Sequence, residues 1–232
     1  MNDLPAALVA ELPATLFLFG YALLFALVEI EIEGAHGWAE RLPTWYRVTP
    51  WYARAFARLI GGKPLTGYHA TMIPLALLSF HVGFAFGQPW SLGLEARVLA
   101  RFGFWTIVWD GLWFVLNPAF GWRRFRPGQV WWLGRIWIAR FPIEYWGALA
   151  SSFVVAALPG LTGAPIGRGL YEHGVFCVYQ IALAVLVGLA APAYQRWYTY
   201  MRRPGSDERA LVFGKPAAAN AEAGNGSDAR SL

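Results

Sequence analysis

Residues 13–32 read PATLFLFGYALLFALVEIEI: nothing is charged from Pro13 to Val28, and then carboxylates arrive at Glu29 and Glu31. A helix needs about 20 apolar residues to cross roughly 30 Å of hydrocarbon, and this stretch has that length. It predicts a transmembrane helix whose last turn is acidic. Four further stretches, 67–87, 102–120, 137–158 and 175–194, are similarly long and apolar.

The whole chain agrees. Its 232 residues are 57% hydrophobic and only 14% charged, with 13 Trp. Soluble domains carry about a quarter charged residues. The expected class is all-α, a polytopic integral membrane protein with about five transmembrane helices. The single cysteine, Cys177, excludes a disulfide framework or a Cys-ligated zinc site. Segment 1–11 has no Lys or Arg and no small-residue cleavage site follows it, so the first apolar stretch reads as a retained helix and not a signal peptide.

Lys and Arg set the orientation. Segments 34–64, 121–140 and the region after 194 hold sixteen of the 19 basic residues, while the alternate segments hold Arg97, Arg101 and Arg168. The expected topology has the N-terminus outside and the C-terminus cytoplasmic. Arg far exceeds Lys, alongside much Ala and Gly, which suggests a GC-rich bacterial genome and hence a bacterial inner membrane. A transmembrane helical domain is expected over 1–203, with interfacial cytoplasmic loops at 34–64 and 121–136. Trp38, Trp45, Trp51, Trp122, Trp131 and Trp132 lie in those loops, and amphipathic aromatics favour the headgroup layer. Residues 49–60 fit a short interfacial helix. Residues 204–232 turn to Ala, Gly, Asn and Ser and predict a disordered cytoplasmic tail. The net charge of +5 is spread as a topogenic signal, so membrane lipids, and not nucleic acid, are the expected partners. A homo-oligomer or a second membrane protein is a further candidate partner.

Acids and histidines gather at the cytoplasmic ends of four spans. If the first helix continues, Glu29, Glu33, His36 and Glu40 share one face, and Glu31 points almost the opposite way. Glu33-Gly34-Ala35-His36 has the Glu-x-x-His spacing that dinuclear carboxylate sites use. The alternative is a solvated helix end terminated by Gly34 and Gly37. His69 opens the second span, level with Glu33. Asp110 lies about seven residues, or ~10 Å, deeper than Asn117 in the third span. A carboxylate at that depth costs a few kcal/mol and is a functional candidate by default. Arg140 and Glu144 open the fourth span as i, i+4 neighbours, able either to neutralise each other or to hold a phosphate or carboxylate through the Arg fork.

Several classes are excluded by what is missing. Four histidines are too few for a membrane di-iron desaturase, and Asp110-Gly111 lacks the further aspartates of the alcohol phosphatidyltransferases. No nucleophile elbow or phosphate-binding loop appears. The expected function is a membrane-embedded enzyme with a carboxylate–histidine metal site at the cytoplasmic side, hydrolysing or transferring a group on a lipid or lipid-linked substrate. Glu29, Glu33, His36 and His69 are the expected ligands of a divalent zinc, manganese or iron ion. Asp110 and Glu144 are the expected general bases; Arg140 and Asn117 the expected substrate contacts. The alternatives are a proton-coupled transporter, a structural or assembly subunit, and a haem protein ligated by His81 and His173.

Overall fold

Gly34 decides where the first helix stops. In the computed structural model, which describes residues 4–203 and Glu208, α1 spans Leu4–Glu33 and Gly34 has a φ of +60°, which glycine adopts without a Cβ clash. Its N–H bonds the Ile30 carbonyl at 3.1 Å and the chain leaves the axis. The expected face of Glu29, Glu33, His36 and Glu40 is cut in half: His36 turns away and pairs with Glu40 at 3.8 Å.

The loop after α1 is built, not slack. β1 (Tyr46–Arg47) pairs antiparallel with β2 (Leu65–Thr66), closing a lobe around the nine-residue helix α2 (Trp51–Leu59). This is the short helix expected within 49–60. Thr66 then caps α3 (Gly67–Phe80), its hydroxyl accepting from the His69 N–H. The expected second span breaks at His81, which separates the 14 residues of α3 from the four of α4 (Val82–Ala85). The His81 ring holds the break, bonding the Leu77 carbonyl through Nδ1 and Glu95 through Nε2.

Ser91 caps α5 (Leu92–Leu116) by accepting from the Leu94 N–H. After α6 (Gly121–Arg124), the strands β3 (Trp137–Ile138) and β4 (Phe141–Pro142) form a tight hairpin. Its central residues, Ala139 and Arg140, both have positive φ, the backbone that two-residue hairpins require. The fourth span therefore begins six residues later than expected, as α7 (Ile143–Ala157). Arg140 sits exposed at the hairpin tip, so the i, i+4 pairing with Glu144 does not form. A 3₁₀ turn, Leu158–Thr162, leads into α8 (Ile166–Met201).

Side-chain contacts fix the helix directions. Trp105 donates to the Leu18 carbonyl and Asn117 to that of Gly34, so α5 runs parallel to α1. Gln180 reaches the Thr15 carbonyl and Tyr198 that of Ile30, so α8 does too. Conversely, Tyr145 bonds Asp110, and Tyr68 and Ser79 meet Glu29 and Tyr21. With Ser152 of α7 lying against Gly103 of α5, α7 and α3 run the other way. Both long basic loops lie at one end, and the short turns 86–91 and 158–165 at the other.

Among the described residues, four helical segments are long and apolar enough to cross a membrane: Leu8–Glu33, Leu92–Leu116, Ile143–Thr162 and Ile166–Met201. α5 is the central one, packed against α1, α7 and α8, and its Trp105, Leu112 and Phe114 are fully buried. Phe17, Leu24, Val154, Leu186 and Leu189 are exposed on the outer faces, an apolar surface suited to lipid. The tail expected to be disordered lies outside the described residues, Glu208 apart.

Candidate functional site

Glu29 and Glu33 are one helical turn apart, so α1 presents both carboxylates on the same face. The Thr66 cap starts α3 directly opposite and swings His69 toward them. The ligand atoms of Glu29, Glu33 and His69 all lie within 4.8 Å of one another, and each residue is less than a tenth exposed. An ion about 2.0–2.3 Å from each donor needs only small inward rotations.

Each of the three is held from behind. Tyr68 donates to Glu29 Oε1 at 3.1 Å, and the Ala39 N–H donates to Glu33 Oε1 at 2.6 Å. Thr66 Oγ1 lies 2.7 Å from His69 Nδ1. Such partners orient ligands and set the imidazole tautomer. Trp38 stacks on the His69 ring at 3.8 Å between centroids, and Lys63 Nζ lies 4.6 Å from the centre of the Trp38 ring.

The three border a cavity of about 340 Å³ that also takes in Lys63, Asp110, Trp113, Glu144 and Tyr145. Asp110 accepts from the Tyr145 hydroxyl. Glu144 Oε1 accepts from the Gly134 N–H at 2.8 Å, while its buried Oε2 has no partner among the described residues. The Trp113 indole N–H is likewise buried without an acceptor. Ile60, Ile73, Phe102, Ile107 and Ala148 supply apolar wall.

Charge is badly unbalanced here. Four carboxyl groups (Glu29, Glu33, Asp110, Glu144) border the cavity against one ammonium, that of Lys63. Burial pushes the Lys63 ammonium below its usual range, and Asp110 and Glu144 pull it back up. Uncompensated buried carboxylates are expensive, so the cavity calls for a further cation or for protons.

The other expected residues lie elsewhere. His36 and Arg140 are outside the cavity lining. Asn117 is fully buried, but its side chain is spent on the backbone, donating to the Gly34 carbonyl at 2.7 Å and accepting from the Ala119 N–H. Glu31 faces Arg202 at 3.8 Å. His81 and His173 are each engaged at Nε2, by Glu95 and Ser152.

Sequence reasoning passed over Lys63, Tyr68 and Tyr145, while Trp113 falls on the same helical stripe as Asp110 and Asn117. Lys63 sits in a basic loop, where it counts only toward topology, although it is the sole lysine before residue 215. Gly61 and Gly134 were also unmarked. A Cβ on Gly61 would lie 2.5 Å from Glu144 Oε1, and one on Gly134 would collide with the same oxygen. Both loops close on Glu144 only because they carry glycine there.

Comparison with protein-family models, with curated proteins and with solved structures returned no match.

Proposed function

We propose that the protein is a membrane-embedded, metal-dependent enzyme that hydrolyses or transfers a group on a lipid or lipid-linked substrate. The observation that carries this reading is the convergence of Glu29, Glu33 and His69, buried and braced, beside an excess of carboxylates. Two carboxylates and an imidazole suit zinc, manganese or iron. A bound ion would supply a water of lowered pKa. Asp110 and Glu144, on the same cavity, are placed to take a proton from it. The Trp113 N–H and the Lys63 ammonium are donors for a substrate oxygen, and the apolar wall accommodates a chain.

The same reading puts the basic-loop end in the cytoplasm of a bacterial inner membrane, with α3–α4 as a fifth, broken crossing and the N-terminus outside. The alternation of helix directions and the sixteen-to-three split of basic residues support it. A proton-coupled carrier is less favoured, because Phe104, Trp105 and Phe176 are buried apolar groups between the acidic cavity and the other end of the bundle.

Elemental analysis of the purified protein tests the proposal. About one equivalent of a transition metal is expected, lost in Glu33→Ala and in His69→Ala. Wild-type protein with no metal, or variants that keep it while remaining folded, would remove the reading.

A further inference from the structure

The cavity beside Glu29, Glu33 and His69 changes character with depth. Three helices each bring it a polar residue and, one turn deeper on the same face, an apolar one. These pairs are His69 and Ile73 on α3, Asp110 and Ile107 on α5, and Glu144 and Ala148 on α7. α5 lines the cavity from Phe102 to Trp113, a rise of about 16 Å. One leaflet contributes about 15 Å of hydrocarbon, half the thickness of the bilayer core.

Both ends are closed. At the basic-loop end, Trp38 stacks on His69 and donates to the Pro64 carbonyl at 3.0 Å, and Gly134 ties the other loop to Glu144. At the deep end lies Phe102, edge-on to Phe80 at 5.4 Å and stacked on Trp105 at 6.1 Å. A separate cavity of about 270 Å³, between the starts of α5 and α8, shares no lining residue with this one. The open side is the gap between α3 and α7. Among the described residues, α5 packs closely against α7 and only lightly against α3, while α3 and α7 make no extended contact. Ile73, Phe102, Ile107 and Ala148 all keep partial exposure. In a membrane, that gap faces acyl chains.

At the polar end, Glu144 Oε2 and the Trp113 indole N–H are buried without a partner among the described residues. A hydroxyl satisfies either one, donating to the oxygen or accepting from the N–H. The cavity, about 340 Å³, is at the lower end of the ~300–1,000 Å³ typical of small-ligand sites. That is room for a head and one chain, and not for a second chain.

We propose that the substrate is a single-chain amphiphile with a hydroxylated head, admitted sideways between α3 and α7, its chain lying along α5 down to Phe102. This rests on the lipid-substrate reading given above but not on the metal.

Photo-crosslinking of the full chain in phosphatidylcholine vesicles tests it. The probes are a monoacylglycerol with a diazirine in its chain and a diacylglycerol carrying the same labelled chain. Monoacyl adducts should map to Ile73, Phe102, Ile107 or Ala148, and unlabelled monoolein, but not diolein, should suppress them. Ala148→Trp fills the gap and should cut these adducts about tenfold. Ala150→Trp, on the exposed side of the same helix, should leave them unchanged. The adducts are expected with and without a chelator. Metal-free protein that labels in the cavity defeats only the metal reading, and metal-loaded protein that does not label there defeats only this one. Adducts confined to outer-face residues such as Leu75 and Val154, equal cavity labelling by the diacyl probe, or undiminished labelling in folded Ala148→Trp overturns the proposal. If Ala148→Trp does not fold, the diacyl comparison and the competition still decide.

Discussion

At the scale of residues, a few positions hold the inner cavity together by having no side chain. Gly134 is the clearest. Its N–H donates to Glu144 Oε1, and a methyl group there would meet that same oxygen. Gly134→Ala should destabilise the protein by about 1–3 kcal/mol, the usual range for overpacking. Thermal unfolding in detergent reads the change. In a Glu144→Ala background the same substitution should be far less harmful, because neighbouring sites do not add; equal penalties in both backgrounds would mean that the collision is not the cause. Glu29, Glu33, His69, Asp110 and Glu144 were legible in the sequence because a charge inside an apolar run is chemically anomalous. Lys63 and Tyr145 were not, since a lysine in a basic loop and a tyrosine near the start of an aromatic helix look ordinary. His36 was drawn into the expected ligand set by assuming that the helix continued, and the left-handed backbone at Gly34 breaks that assumption.

At the scale of elements, the ends of helices matter more than their middles. Asn117 closes α5 and ties it to the end of α1 through the Gly34 carbonyl. Asn117→Ala should cost about 1 kcal/mol, since it removes a hydrogen bond to the partly buried Gly34 carbonyl. Because Gly34 sits one residue beyond Glu33, the variant should also weaken retention of the metal ion proposed for that site. The measurement is metal content after dialysis; full occupancy with a lowered melting temperature would show that the tie is structural alone. Thr66 does comparable work on α3, capping the helix and bonding the His69 ring at once. The period of apolar residues announced the long helices, but the β1–β2 and β3–β4 pairs, only two residues each, carry no such signal.

At the scale of the whole molecule, the four long apolar helices and the shorter α3 alternate in direction along the chain, with polar cavities near opposite ends. Cysteine labelling in intact cells tests the orientation, using Cys177→Ala as background. Trp131→Cys, in the exposed basic loop, should resist a membrane-impermeant reagent, whereas Leu161→Cys, exposed in the 3₁₀ turn, should react. The reverse pattern would mean that the topology is inverted or that α3–α4 does not cross, and labelling of both sites would mean that α7 does not cross.

Membrane class and the end at which the basic loops gather were determined by the sequence alone, because hydropathy and charge are sums over a segment and need no knowledge of contacts. Which acids meet was decided only by the fold. Glu29 and Glu33 come from one helix, His69 from the capped first turn of another beyond the loop lobe of residues 34–66, and Asp110 and Glu144 from two more helices. Their convergence depends on helix direction, on where each helix stops and on glycines that let loops approach. Those are properties of the packed chain, and no local pattern of residues encodes them.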